Sequence, residues 1–318
     1  MKIKNLYTIL AAGLLLFSAC VKEEGELEPS GIEDGYTVPQ GTNDFDATIV
    51  DYYNRFGSCL LYEFTEKDVY WTPSKWQNGT PTSEDQDGVT GLYVTMPDLD
   101  YIAPQLDLLD KTWFSLYNDQ FLKEFLPVKI MLCDTVAYCD YDWSTWPATI
   151  APTLQYAYYN YDNISVGYAN EAVLNMTSYD TLTFARAVNR AFIESMAGRD
   201  KLEPTTVFVA STSYANVSTL YNNTDIWGVG VFQPYYQASP ENDWQNFVLM
   251  MVLYSEDYLN REVSYVSEWD WEETSWEGIF TSQKDVNGMM KKRYDIVRNY
   301  YIDNYGIDLQ EIGNTIGQ

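Results

Sequence analysis

Hydrophobic positions recur along this chain with the spacing of α-helices in several long segments. Asp46–Phe56 has this spacing and Gly57 follows it, which predicts a first helix that ends at a glycine. Pro97-Asp98 opens a longer helical series, in which Pro104 predicts a kink or a later helix start. The apolar members of that series are Leu99, Ile102, Leu106, Leu109, Trp113, Phe114 and Tyr117.

Three further helices are predicted in the second half of the chain. The first begins around Asp180 and stops at Gly198, and its apolar positions are Leu182, Phe184, Val188, Phe192 and Met196. The second covers residues 244–258, and the third covers residues 284–305 and ends at Gly306.

Short apolar runs at residues 59–64 and 128–133 predict two strands, the second of them directly after Pro127. The chain contains no internal repeat and no evident linker between domains. We therefore predict a single α+β domain over residues 42–318, with long helices packed on a small sheet.

The N-terminus has the pattern of a bacterial lipoprotein signal peptide. Lys2 and Lys4 precede an apolar run at residues 9–17, and Ser18-Ala19 places small residues before Cys20. The run is shorter than the roughly 20 residues of a membrane-spanning helix. We predict a signal peptide at 1–19, lipidation of Cys20, and a flexible acidic tether over residues 20–41.

The residues after the lipidated cysteine indicate where the protein is displayed. Val21-Lys22-Glu23-Glu24 resembles the lysine-plus-acidic signal that sends some Gram-negative lipoproteins to the outer face of the outer membrane. We therefore expect a lipid-anchored protein of the outer membrane that is exposed at the cell surface. An ordinary solvated tether is the alternative.

Composition restricts the classes of partner and chemistry. The net charge of −27 makes nucleic acid an unsuitable partner. The 28 tyrosines and 10 tryptophans are typical of secreted carbohydrate-handling proteins, although aromatic side chains fill cores equally well. The chain has no histidine, which excludes Ser/His/Asp and Cys/His nucleophile systems. Cys133 and Cys139 are a candidate disulfide in an oxidising compartment.

Short sequence motifs, in order along nearly the whole mature chain, resemble a known family. They are Tyr53-Asn54-Arg55-Phe56-Gly57, Pro97-Asp98, Trp113, Phe121-Leu122, Pro127-Val128-Lys129-Ile130 and Tyr305-Gly306-Ile307-Asp308-Leu309. The family is that of the putative zinc-binding metallopeptidase lipoproteins, or substrate import-associated zinc metallohydrolase lipoproteins. The resemblance implies a zincin-like domain, a zinc cofactor, and association with a TonB-dependent nutrient importer used in polysaccharide utilisation.

The catalytic motif of that family is not retained. Its H-E-x-x-H run matches Arg190 at the first ligand histidine, Ala191 at the general-base glutamate and Glu194 at the second histidine. Its expected third ligand, a glutamate, matches Asn246. An arginine places a permanent positive charge where a cation would bind, and alanine accepts no proton. We therefore expect no zinc site and no other cofactor.

Two interpretations of the altered helix stay open. Arg190 and Glu194 are four residues apart, so they would form an ion pair across the gap that a metal bridges in the family. Alternatively, Arg186, Asn189 and Arg190 lie on an ordinary solvated face of the helix.

Two acidic-aromatic segments are further candidates for ligand binding. Residues 268–273 read Glu-Trp-Asp-Trp-Glu-Glu, and Trp276 and Glu277 follow them; this mixture of carboxylates and indole rings is compatible with a glycosidase cleft. Asp140-Tyr141-Asp142-Trp143, with Trp146, would form a sugar-stacking loop or a site for a hard cation. The binding candidates are Trp143, Trp269 and Trp271 of these segments, together with Asp243 and Trp244 of the acidic run that contains Asn246.

The sequence favours a catalytically inactive surface lipoprotein that binds a peptide, a glycan or an importer partner. The alternative is an active hydrolase, a peptidase or glycosidase, with a histidine-free carboxylate site. Glu194, Asp243 and the acidic residues of 268–277 would then carry catalysis. A third hypothesis is a structural subunit of an outer-membrane complex.

Overall fold

The structure is a computed structural model that describes residues 35–73, 77–82, 88–220, 222–233, 238–268 and 276–317. Val38–Gln318 form one compact unit. No helix in the described ranges combines the length and apolar character needed to cross a membrane. The predicted signal peptide, the lipidation site Cys20 and most of the tether lie outside the described residues.

Helices provide most of the regular structure. In chain order they are α1 (Asp46–Phe56), α2 (Glu66–Tyr70), α3 (Ile102–Thr112), α4 (Asp119–Phe125), α5 (Ser178–Gly198), α6 (Thr206–Val209), α7 (Asn223–Gly228), α8 (Pro240–Leu253), α9 (Glu256–Asn260), α10 (Met289–Tyr305) and α11 (Leu309–Ile316).

The strands form two small sheets. They are β1 (Cys59–Leu61), β2 (Gly91–Val94), β3 (Lys129–Leu132), β4 (Val136–Asp142), β5 (Thr149–Gln155), β6 (Ala157–Asn160) and β7 (Asn163–Val166). One sheet has the order β1-β3-β7-β6, in which β1, β3 and β7 are parallel and β6 is antiparallel to β7. The other is antiparallel with the order β2-β4-β5. The α+β architecture predicted from the sequence is therefore confirmed.

Helix α5 lies at the centre of the fold. It packs against strands β6 and β7 and against helices α3, α8 and α11. Phe184, Val188 and Phe192 of its apolar face are fully buried, and Phe192 contacts the ring of Trp113 at a centroid distance of 5.5 Å. This helix carries the motif positions, so the hydrophobic core fixes where their side chains lie.

Several predicted helix boundaries are confirmed. Helix α1 has the predicted bounds, and Gly57 ends it with a φ of 79°, a backbone conformation that favours glycine. The segment after Pro97 contains a 3₁₀ turn before α3, and Pro104 is the third residue of α3. Proline in the first turn blocks no hydrogen bond within the helix, so the prediction of a later helix start is correct.

Other boundaries are wrong for identifiable reasons. The helix predicted at 244–258 is two helices, because Tyr254 is extended (ψ 138°) and the Ser255 hydroxyl accepts from Tyr258 N to start α9. The helix predicted from residue 284 starts at Met289, since Gly288 has a φ of 67°. The predicted strands are shorter than expected, and Leu182, assigned to the core face of α5, is exposed.

The candidate disulfide is absent. Cys59, Cys133 and Cys139, the cysteines of the described ranges, are free thiols, and all three are buried. Cys139 lies within β4, whereas Cys133 follows β3 in the other sheet. Burial raises the pKa of the Cys133 thiol and that of Cys139, so both favour the unreactive protonated form.

Candidate functional site

Helix α5 is held in place at its N-terminus by a capping box. Thr177 Oγ1 accepts from Asp180 N at 3.2 Å, and Thr177 N donates to Asp180 Oδ2 at 2.9 Å. The Thr177 hydroxyl also donates to Asp180 Oδ2, at 2.7 Å, and the hydrogen bonds from this hydroxyl and from Thr177 N lower the pKa of the Asp180 carboxyl because they favour its charged form. A capped start and a packed apolar face give the motif positions one defined orientation.

The motif positions occupy the second half of α5 and differ in exposure. Ala191 is buried, whereas Arg190 and Glu194 are half-buried. Residues 190 and 194 are one helical turn apart, so they share one side of the helix. The predicted ion pair between them stays a prediction.

Asn189 and Arg186, which lie near Arg190 on α5, contact other parts of the fold. The interpretation that they lie on a solvated face is therefore wrong for these two residues. Asn189 is fully buried: its Oδ1 accepts from Tyr117 Oη at 2.8 Å, and its Nδ2 donates to Thr112 O at 2.9 Å. Arg186 is half-buried, and its Nε donates to Ile316 O at 2.7 Å. These side chains attach α5 to α3 and α11.

Strand β6 packs against α5 at the edge of its sheet and carries Tyr158, which lies within electrostatic reach of Glu194. Among the described strands β6 pairs only with β7. Tyr158 of β6 stacks on Tyr138 of β4, with ring centroids 5.6 Å apart. Burial raises the pKa of Tyr158, and the negative charge of Glu194 raises it further. Glu194 is therefore close enough to Tyr158 to influence it electrostatically, and the stacked rings of Tyr138 and Tyr158 form a two-tyrosine wall.

Helix α8 provides the fourth motif position. Ser239 caps the helix, with its side chain accepting from Asn242 N at 3.1 Å, and Pro240 occupies the first helical position. Asn246 is half-buried on α8, which packs against α5. An amide at this position supplies neutral oxygen in place of the carboxylate expected in the family.

The predicted binding candidates Asp243 and Trp244 lie in the core. Asp243 Oδ2 is 2.9 Å from Arg293 Nη1 of α10 and accepts from Tyr214 Oη at 2.6 Å. Its Oδ1 accepts from Phe232 N at 3.1 Å. Burial raises the pKa of the Asp243 carboxyl, and the charge of Arg293 opposes that shift. A ligand would have to enter the core to reach Asp243 or Trp244.

The Arg293 guanidinium completes this buried cluster. It is fully buried and donates to Gly230 O and, at 2.6 Å, to Tyr214 Oη. Its central carbon lies 3.9 Å from the centroid of the Phe208 ring, a cation–π contact. The cluster joins α6, α8 and α10 to the loop that follows α7. It therefore stabilises the fold by holding these elements together.

A cleft of about 400 Å³ opens between the C-terminal end of α5 and the first turns of α8. Ala197 lines it on the α5 side, and Glu241 and Gln245 line it on the α8 side. Asp200 and Glu203 add carboxylates. The cleft lies one turn beyond Glu194 along α5.

The residues at the motif positions do not fit zinc. The resemblance predicts two imidazoles and a general base where this chain has Arg190, Glu194 and Ala191, and the sequence contains no histidine. In the described ranges no group of three or more His, Cys, Asp or Glu side chains is arranged to hold a metal ion. Glu194 offers a single carboxylate, which is too few ligands for a zinc site.

The two acidic-aromatic segments differ in position. Trp269 and Trp271 lie outside the described residues, whereas Trp276 is buried against Phe232 and Glu277 Oε1 is 3.2 Å from Arg261 Nη1. By contrast, Trp143 and Trp146 are exposed at the turn between β4 and β5.

Sequence reasoning missed Tyr138, Tyr158 and Arg293. The alternation of Tyr138, Asp140 and Asp142 was a signal for a strand that places all three on one face. Arg293 had no local signal, because its partner Asp243 is 50 residues away in sequence.

Comparison with known families covers the segment of the chain that contains both α5 and α8. Residues 82–310 match the model of the family described as putative zinc-binding metallo-peptidase. The chain belongs to this family. The resemblance inferred from short motifs is thereby confirmed at the level of the metallopeptidase family.

One solved structure resembles this member of the family. It is that of a putative zinc-binding metallo-peptidase from Bacteroides caccae, 12% identical in sequence, with a TM-score of 0.44. The match covers 86% of this chain and 89% of the other. No curated protein matches the sequence.

Proposed function

We propose that this metallopeptidase-family chain is a catalytically inactive surface lipoprotein that binds a ligand beside α5. The observation that carries the proposal is the set Arg190, Ala191 and Glu194 at the motif positions of that helix. The guanidinium is always charged, so it would repel Zn²⁺ from the position of the first ligand. Ala191 has no group that accepts a proton from a metal-bound water.

The region around Glu194 supports binding of an extended ligand. The β6 strand has an edge without a partner among the described strands, and such an edge offers backbone hydrogen bonds to a peptide. The Tyr138 and Tyr158 rings offer aromatic surface to a peptide or a glycan. Both ligand classes are compatible with the proposal.

The proposal includes attachment to the outer membrane through lipid on Cys20, with the protein exposed at the cell surface and a TonB-dependent importer as partner. The signal-like N-terminus supports the anchor, and the family resemblance supports the importer. Radioactive palmitate incorporated into the full chain but not into a Cys20→Ala variant would support the anchor. Equal labelling of the two would contradict it.

The alternative, a histidine-free hydrolase, has less support from its candidate residues. Asp243 is bound to Arg293 in the core, and Glu277 contacts Arg261. Both carboxylates are therefore engaged in ion pairs with arginines.

Hydrolysis measurements on the full chain test the proposed loss of catalysis. We expect no release of fragments from casein or of reducing ends from soluble polysaccharides above the rate of a heat-denatured sample. Turnover that disappears in Glu194→Gln but persists in Glu277→Gln would contradict the proposal and favour a carboxylate site on α5. Both substitutions remove one charge, so each is the control for the other.

A further inference from the structure

The turn between β4 and β5 projects aromatic side chains into solvent. The exposed fractions are 54% for Tyr141, 71% for Trp143 and 90% for Trp146. The rings of Tyr141 and Trp143 lie 5.7 Å apart at an angle of 37°, so they form a tilted pair. Neither tryptophan is needed to fill the core, and exposing such large apolar groups is unfavourable unless something covers them.

Hydrogen-bonding groups accompany these rings. Asp140 and Asp142 end strand β4, and Thr145 lies in the turn. Ser144 N donates to Asp142 Oδ1 at 2.8 Å, and hydrogen bonds from Ser144 lower the pKa of the Asp142 carboxyl. Asp142 therefore remains a charged acceptor under ordinary conditions.

One face of β4 carries two carboxylates and a tyrosine that contacts the other sheet. Side chains alternate along a strand, so Tyr138, Asp140 and Asp142 share one face. Tyr138 stacks on Tyr158, whose pKa responds to the charge of Glu194. Tyr141 belongs to the opposite face of the strand, and Asp142, which directly precedes Trp143, is the carboxylate at the start of the turn.

We propose that the β4–β5 turn, through Trp143, Trp146 and Tyr141, is a binding site for a neutral glycan chain. A pyranose ring presents a face of C–H groups that packs on an aromatic ring and a rim of hydroxyls that donate to carboxylates. The site is separate from the motif positions, so it stands whether or not the chain hydrolyses anything.

The negative charge near the turn favours a neutral glycan over two other occupants, an acidic glycan and an anionic lipid surface. Asp140 and Asp142 would repel a uronate or sulfated glycan. Aromatic residues also anchor proteins at bilayer surfaces, but a chain of net charge −27 with a carboxylate, Asp142, at the start of the turn is repelled by anionic lipid.

Affinity electrophoresis of the full chain tests the site. The probes are amylopectin, xyloglucan, arabinoxylan and galactomannan, with polygalacturonate as the charged counterpart. We expect at least one neutral polysaccharide to retard the protein and polygalacturonate not to. In isothermal titration with the retarding glycan, Trp143→Ala and Trp146→Ala should each weaken binding about tenfold.

A matched control distinguishes an effect on this binding site from the effect of removing any exposed tryptophan. Trp71 is 41% exposed and lies against Tyr161, outside the turn, so Trp71→Ala should bind like the unchanged protein. Unchanged melting temperatures would exclude misfolding in all three variants. Absence of retardation by every neutral polysaccharide overturns the proposal. Binding to phosphatidylglycerol vesicles that Trp143→Ala abolishes would overturn it too, in favour of a membrane contact.

Discussion

The Asp243–Arg293 pair has no exposed surface, which gives a single residue a large influence on stability. Removing one partner leaves the other charge buried without compensation. We therefore expect Asp243→Asn to lower the free energy of unfolding by about 3–5 kcal/mol, measured by urea denaturation. The double variant with Arg293→Met should lose less than the sum of the two single variants.

An exposed pair provides the comparison. Arg55 and Asp119 are 2.8 Å apart, with side chains 38% and 55% exposed. Water screens such pairs, so Asp119→Asn should cost about 1 kcal/mol or less. Equal losses for Asp119→Asn and Asp243→Asn would refute the role of Asp243 as a buried anchor.

Residue identities at the motif positions were readable from the sequence, but their surroundings were not. The resemblance placed Arg190, Ala191 and Glu194 on one helix because a helical motif has fixed spacing. It assigned Asp243 to ligand binding, whereas the structure places this carboxylate in the core. Its partners Tyr214 and Arg293 come from distant segments, and no local pattern brings them together.

At the scale of the element, the capping box of α5 predicts a pH dependence. Hydrogen bonds from Thr177 hold the folded-state pKa of Asp180 below its unfolded value, which is about 3.9. Its contribution to stability is therefore present above the unfolded pKa and is lost as pH falls through the folded pKa. The stability difference between the unchanged chain and Asp180→Asn should shrink with acidification below about pH 4.

Urea denaturation at several pH values measures this difference. Glu171→Gln, which removes a carboxylate from the exposed turn before α5, controls for the change in net charge. A difference for Asp180→Asn that stays constant from neutral to strongly acidic pH would contradict the capping contribution.

Helices were predictable where caps and periodicity agreed, as at α1 and α5, and strands were not. Strand β5 contains Pro152, which normally argues against a strand because it cannot donate to a ladder. It is tolerated here because β5 lies at the edge of its sheet. Strands β6 and β7 lack strict alternation, so the wall formed by Tyr138 and Tyr158 could not be predicted.

For the molecule as a whole, the family motifs lie at positions that hold the fold. Gly57 ends α1, Asp98 Oδ1 accepts from Asp100 N before α3, and Trp113 is fully buried. Caps and packing therefore hold the scaffold at residues other than Arg190, Ala191, Glu194 and Asn246. Scaffold and chemistry depend on different residues, so the proposed loss of zinc chemistry is compatible with retention of the fold.

Zinc content tests the central claim most directly. The full chain, without a polyhistidine tag, would be incubated with excess Zn²⁺, dialysed extensively and subjected to elemental analysis. The positive control carries Arg190→His, Ala191→Glu, Glu194→His and Asn246→Glu, which restore the family's donor set on α5 and α8. We predict about one zinc per chain in that variant and far less than one in the unchanged protein. Retention of about one zinc by the unchanged protein would contradict the account.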